Sequence, residues 1–312
     1  MTTTPPTSET GGTTPDRGYS PQRRTEALIE ALPYIQRFRG AIIVVKFGGN
    51  AMVDPDLSRT FAEDIVLLRS VGLKPVVVHG GGPQIGELLA RLGKTSEFRD
   101  GLRVTDAETL DVARMVLVGK VGRDIVGQIN THGAYAVGMS GEDGGLIRAE
   151  ARDPELGFVG DVVSVHPGIL QRLLAEDLIP VISSIGSDAT GQAYNINADT
   201  VAGAVAGALG AEKAVYLTDV AGLLLDIDEP SSLIARATIA ELDAYVADGT
   251  ISGGMLPKIG ACVAAVRAGA TSAHMLDGRV PHVLLLELFT DAGIGTMITA
   301  ADGHRSNEQG TP

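Results

Sequence analysis

The chain has 312 residues, 44% hydrophobic and 20% charged, enough for one large core or two lobes. Its formal charge is −13, no basic run occurs, aromatics make up 4% and tryptophan is absent, which argues against nucleic acid and anionic membrane surfaces as partners. A lone cysteine, Cys262, excludes an intrachain disulfide and fits a reducing cytoplasm, while no apolar run approaches the ~18 residues of a membrane span and the N-terminus lacks a signal-type apolar segment.

Residues 1–24 are rich in Thr, Pro, Ser and Gly and read as a disordered tail. Over 25–39, Leu28, Ile29, Leu32, Ile35 and Phe38 recur at helical spacing, with Thr25 as N-cap and Pro33 as a kink. This helix suits either local packing or a partner subunit. Residues 41–50 (AIIVVKFGGN) carry an unbroken apolar run into a lysine and a Gly-Gly turn. Such a run suits a strand buried on both faces, and Lys46 then stands at its carboxyl end, where open α/β sheets bind ligands. Bare amides at Gly48 and Gly49 beside a cation suit a phosphate; an ordinary exit turn with a snorkelling lysine is the alternative.

A helix follows over 56–71 and a buried strand over 74–78, ending in His79-Gly80-Gly81-Gly82. Pro83 opens the next helix, to residue 92. The order strand, glycine turn, helix is Rossmann-like, but GxGxxG is absent, so the turn speaks for amides at a helix N-terminus rather than for a dinucleotide. After Gly101-Leu102-Arg103-Val104-Thr105, helices are expected to about 118, capped by Thr105 or Asp106, and over 121–131. Strands are expected at 134–139, 146–150 and 178–183, with a hairpin arm at 158–165 and a helix to 175. Gly186 closes a first lobe.

The second lobe begins with Tyr194-Asn195-Ile196-Asn197-Ala198-Asp199, followed by a small-residue helix over 198–209 and a strand over 214–218 ending at Asp219. Helices at 239–247 and around Cys262, strands at 271–276 and 295–299, and a short apolar segment at 282–289 complete it, with a loose tail from 302. No internal repeat is present.

The chain has six lysines, and two of them, Lys46 and Lys258, neighbour Gly-Gly pairs. Phosphoryl transfer needs cations and amides fixed around the moving group. Asn195, Asn197 and Asp199 share a face of an extended segment, or else serve as caps of the next helix. Arg103 can clamp a carboxylate, or form a surface ion pair. No Walker A, protein-kinase or metal-cluster pattern occurs. His79, His132, His166, His274 and His304 read by themselves as packing or turn residues, and Cys262 as a structural thiol.

Five motifs stand in order: Lys46-Phe47-Gly48-Gly49-Asn50-Ala51, His79-Gly80-Gly81-Gly82-Pro83-Gln84, Gly101-Leu102-Arg103-Val104-Thr105, Asn195-Ile196-Asn197-Ala198-Asp199 and Gly253-Gly254-Met255-Leu256-Pro257-Lys258. Together, over about 41–300, they resemble the N-acetyl-L-glutamate kinases of the amino-acid kinase family. The resemblance implies ATP-dependent phosphorylation of the γ-carboxylate of N-acetyl-L-glutamate, the second step of arginine synthesis. It implies an α/β fold, a three-layer α/β/α sandwich on a mainly parallel sheet. Lobe 41–186 would hold acetylglutamate and lobe 187–300 ATP, with Mg²⁺ carried by the nucleotide.

By position, Lys46 and Lys258 would stabilise the transferring phosphoryl and Asp199 would hold both ammonium groups. Gly48, Gly49, Gly81 and Gly82 would supply amides, Arg103, Asn195 and Asn197 would grip substrate, and Thr218 and Asp219 would lie near the nucleotide. A carboxylate nucleophile is already ionised at neutral pH, so no general base is required. The N-terminal helix (25–40) and the end segment also resemble the arginine-inhibited branch. That implies a hexamer, a trimer of dimers, and an inhibitor site at Glu287 and His282, with Tyr34, Lys213, His274 and Gly293 as further contacts. A Rossmann-type oxidoreductase and a catalytically silent ligand sensor remain the rival readings.

Overall fold

In the computed structural model, residues 20–226, 229–290 and 293–301 are described. Most of the N-terminal tail (1–19) and the tail from 302 lie outside them. The order is α1 (Pro21–Phe38), β1 (Ile42–Phe47), α2 (Pro55–Ser70), β2 (Lys74–His79), α3 (Gly82–Arg91), β3 (Phe98–Arg99), β4 (Leu102–Arg103), α4 (Ala107–Arg114), α5 (Gly122–Asn130), β5 (Ala136–Ser140), β6 (Ile147–Ala151) and β7 (Val159–Val165). Then come α6 (Gly168–Ala175), β8 (Ile179–Ser183), β9 (Ile185–Ser187), β10 (Ala193–Ile196), α7 (Ala198–Leu209), β11 (Lys213–Thr218), β12 (Arg236–Thr238), α8 (Ile239–Ala247), α9 (Met255–Arg267), β13 (Ser272–Asp277), α10 (Val283–Phe289) and β14 (Thr296–Thr299).

Among the described residues, eight strands form one sheet in the order β12-β14-β13-β11-β1-β2-β8-β5, in which only β13 and β14 pair antiparallel. Successive side chains of β1 alternate between two cores. Ile43, Val45 and Phe47 join Phe61 and Ile65 of α2 and Ile125 and Ile129 of α5 on one face. Val44 joins Val201 and Val205 of α7 and Cys262 and Val266 of α9 on the other. Helices thus cover both faces, the three-layer α/β/α sandwich expected. The sheet runs unbroken through both halves of the chain, with β1 beside β11. A separate set, β10-β7-β6-β9, closes on itself and contains the expected hairpin arm, β6 against β7.

Two local expectations are corrected, and two further features are added. Ser20, not Thr25, caps α1, because Pro21 occupies its first turn, while the Thr25 hydroxyl donates back to the Pro21 carbonyl at 3.0 Å. Pro33 lies within α1, which continues to Phe38. The two helices expected over 106–131 are one, because a π-helical stretch (Met115–Val121) joins α4 to α5. The segment leading into Arg103 forms a hairpin of two-residue strands, β3 with β4.

Candidate active site

Parallel strands bring their carboxyl ends to one edge of the sheet. β1 delivers Lys46, β2 the Gly80-Gly81-Gly82 turn, β8 Ser184, and β11 Thr218 and Asp219. Lys46 lies two residues after Val44 and so faces α7. Its ammonium meets the Asp199 carboxylate at 2.9 Å, with the side chains 16% and 28% exposed. A Cβ on Gly48 would lie 2.7 Å from that ammonium, so the absent side chain is the space into which Lys46 folds. Gly49 has φ +66°, and a Cβ there would lie 2.9 Å from the Asp219 carboxylate, which stands against the turn.

Two helix N-termini converge beside this pair. Asn197 caps α7, accepting from the amides of Asp199 at 2.7 Å and Thr200 at 3.4 Å. α3 starts at Gly82 with Gly81 as its cap and no side chain on its first amides. A Cβ on Gly80 would sit 3.4 Å from that of Ala198, so the two starts abut. Uncapped amides and the positive ends of two helix dipoles suit an anion. Opposite them, Arg103 donates from Nη2 to the Gly82 carbonyl at 2.8 Å and from Nη1 to the Ser96 hydroxyl, with its guanidinium 4.7 Å from the Phe98 ring centroid. Burial draws its pKa below the ordinary value. The Asn195 amide donates to Thr105 Oγ1 at 3.4 Å.

These groups line one cavity of about 240 Å³. Lys46, Gly48, Gly49, Gly81, Gly82, Arg103, Asn195, Asn197 and Asp199, all expected, are among its walls. Thr218 and Asp219 stand outside it; the Thr218 hydroxyl is taken up by the Val220 and Leu276 carbonyls at 3.1 and 3.3 Å. Lys258 does not line the cavity either. It is half-buried in the first turn of α9, one helical turn before Cys262. Burial pushes the Cys262 thiol well up and the Asp199 charge pushes it further, which places α9 beside Asp199. Leu117, Phe98 and Val159 supply apolar walls that no motif marked.

The profile of the amino acid kinase family matches residues 41–277. The chain belongs to that family. It is 54% identical over 293 residues to the acetylglutamate kinase of Saccharopolyspora erythraea, covering 92% of this chain and 96% of that one. It is 56% identical over 276 residues to the acetylglutamate kinase of a Synechococcus species, covering 88% and 97%. Among solved structures, N-acetylglutamate synthase from Neisseria gonorrhoeae, complexed with coenzyme A and N-acetyl-glutamate, aligns with TM-score 0.77 and 26% identity over 89% of this chain. The same synthase complexed with coenzyme A and L-arginine aligns with TM-score 0.72 and 25% identity. The kinase chain spans 64% of the synthase in the first of these structures and 65% in the second.

This amino acid kinase has a second polar cavity, of about 480 Å³, between α1 and α10. Tyr34, Arg37, Phe38, Lys213, Arg236, Glu287 and Gly293 line it. Behind them His274 is fully buried. Its Nδ1 lies 2.7 Å from Glu287 Oε1 and its Nε2 2.9 Å from the Lys213 ammonium. Lys213 can only donate, so Nε2 accepts and Nδ1 carries the proton given to Glu287. Burial brings Lys213 down to about 8. Burial pushes Glu287 up, but its bond to His274 and the nearby cations outweigh it and hold it low. His282, expected with this group, is elsewhere. It caps α10 in a left-handed conformation (φ +58°), with Nδ1 2.6 Å from Asp64 of α2.

Proposed function

We propose that this kinase transfers the γ-phosphoryl group of ATP to the γ-carboxylate of N-acetyl-L-glutamate. The products are N-acetyl-L-glutamyl 5-phosphate and ADP, and the reaction is the second step of arginine biosynthesis. The observation that carries the chemistry is the Lys46–Asp199 pair at the meeting of two helix N-termini, with Arg103 and Asn195 opposite. A carboxylate oxygen attacks the terminal phosphorus while the bond to ADP breaks. The nucleophile is ionised at neutral pH, its reference pKa being about 4.3, so the protein positions groups and neutralises charge rather than removing a proton. The amides of Gly48, Gly49, Gly81 and Gly82 face the phosphoryl and the acceptor carboxylate, and Asp199 keeps Lys46 aimed.

In this reading Arg103, from the half of the chain up to 186, and Asn195 and Asn197, from just beyond it, hold the remaining polar atoms of acetylglutamate. Thr218, Asp219 and Lys258 belong to the nucleotide side, residues 187–300. Lys258, at the start of α9 beside Asp199, is the second cation of this reading. Among the described residues no group of three His, Cys, Asp or Glu side chains stands ready for a metal, so a magnesium ion would ride on the nucleotide phosphates and water.

The second cavity supports inhibition by L-arginine. Glu287 matches a guanidinium, Lys213 and Arg236 match a carboxylate, and Tyr34, His274 and Gly293 complete the surroundings. The exposed Leu28, Ile29 and Leu32 of α1 suit a partner subunit in a homo-oligomer, a hexamer built as a trimer of dimers. Among the described residues no helix is long and apolar enough to cross a membrane. We place the enzyme in the cytoplasm.

The deciding experiment follows ADP release with ATP and acetylglutamate, with and without L-arginine. Acetylglutamate-dependent ADP release, reduced by arginine, is expected. Absence of release would leave a silent binding protein; release unaffected by arginine would remove only the regulatory part.

A further inference from the structure

His79 ends β2 and is fully buried, directly before the glycine turn that roofs the active-site cavity. Its Nδ1 lies 2.9 Å from the carbonyl oxygen of Gly80. A carbonyl only accepts, so Nδ1 carries the proton and Nε2 is left as an acceptor. That Nε2 is buried and has no hydrogen-bond partner among the described residues. A leucine would occupy similar space without leaving a buried acceptor unpaired, so what the imidazole adds here is one donor aimed at Gly80.

We propose that His79 is a positioning residue: by holding the Gly80 carbonyl inward it turns the next amide, that of Gly81, toward the bound acetylglutamate. The inference rests on the kinase reading above. A trans peptide is planar, with its C=O and N–H pointing in opposite directions. A carbonyl drawn into the core therefore sends the following N–H outward, and Gly81 lines the cavity. The π-helical stretch Met115–Val121 closes around this arrangement. A Cβ on Gly81 would lie 2.7 Å from Leu117 and 3.2 Å from Val121, and one on Gly122 would lie 3.2 Å from His79 Nε2. The wider turn thus seats Leu117 and Val121 on one glycine while sparing room for the ring beside the other. Burial lowers His79 to about 4, and the charge of Arg123 acts in the same direction, so the ring stays neutral in working conditions.

The test compares His79→Leu and His79→Asn with the native enzyme. The asparagine amide can still donate to the Gly80 carbonyl; leucine cannot. His79→Leu is expected to lower kcat/KM for acetylglutamate roughly tenfold or more, the size of a lost positioning hydrogen bond, with KM for ATP within about twofold. His79→Asn is expected to recover most of that loss. Nitrogen NMR of the native protein is expected to show a neutral ring protonated at Nδ1 from about pH 5 to 9, a readout independent of turnover and of whether the leucine variant folds. An Nε2-protonated ring, a titration near 6.5, equal losses toward both substrates, or an asparagine variant no better than leucine would each overturn the proposal. Native enzyme that ignores acetylglutamate would instead overturn the kinase reading, leaving the NMR result to judge the placement of His79.

Discussion

Lys46 and Asp199 stand 2.9 Å apart although they lie 153 positions apart in the chain (199 − 46), one at the end of β1 and the other in the first turn of α7. The carboxylate restrains a lysine that would otherwise be free to swing over the glycine turn. Lys46→Ala is expected to lower turnover at least about a hundredfold, the scale of removing a donor that faces developing charge. Asp199→Asn keeps the shape and releases the ammonium, so it should lower kcat by a smaller factor. Steady-state kinetics with circular dichroism as a check on folding decide the matter; a native rate in Lys46→Ala would take the pair out of the chemistry.

Lys258 poses a separate question, because it lies on α9 outside the cavity. If nucleotide binding carries it to the phosphoryl, Lys258→Ala should also lower kcat about a hundredfold while acetylglutamate binding is unaffected. Calorimetric titration of acetylglutamate into the variant, beside turnover, separates the two effects. Near-normal turnover would make Lys258 an ordinary helix-start lysine.

Arg103 is fixed at three points, the Gly82 carbonyl, the Ser96 hydroxyl and the Phe98 ring. A lysine keeps the charge but loses the fork and the flat face. Arg103→Lys should therefore raise KM for acetylglutamate by about tenfold or more with less change in kcat. An unchanged KM would show that the clamp grips the protein alone.

Asp64 gives a pH signature far from the catalytic groups. Burial raises its carboxyl from 3.8 to about 6, against the opposing pull of His282. A carboxyl whose pKa rises on folding favours the native state while protonated, and that contribution is lost as pH climbs from about 4 through 6. Asp64→Asn retains an oxygen to accept from His282 and removes the buried charge. It should melt higher than the native protein at pH 8, and the gain should vanish toward pH 4. Equal melting differences at both pH values would refute the assignment.

What could be read in the chain beforehand followed from how local each signal was. The β1 run was legible because a strand buried on both faces needs a continuous apolar stretch, and Lys46-Phe47-Gly48-Gly49 fixed where it ended. Asn195, Asn197 and Asp199 were legible as one cavity wall, but only Asn195 sits on a strand; Asn197 is the cap of α7 and Asp199 lies in its first turn, the capping alternative of the two readings. The π-helical joint was not, since nothing in Met115–Val121 distinguishes one hydrogen-bond period from another without the glycine turn it packs against. His282 was misplaced because its partner, Asp64, lies 218 residues away and only the fold brings α10 onto α2. The start of α1 was misjudged by five residues, as Ser20 and Pro21 sit in what composition marked as tail.

The last strand runs against its neighbour. Because β14 is antiparallel to β13, it carries the chain, as far as residue 301, to the edge of the sheet opposite Lys46 and the glycine turns. A purification handle, surface tether or reporter protein fused after residue 301 would therefore emerge on the far side from the reacting groups. Immobilised or labelled enzyme attached in that way should retain its kinetics.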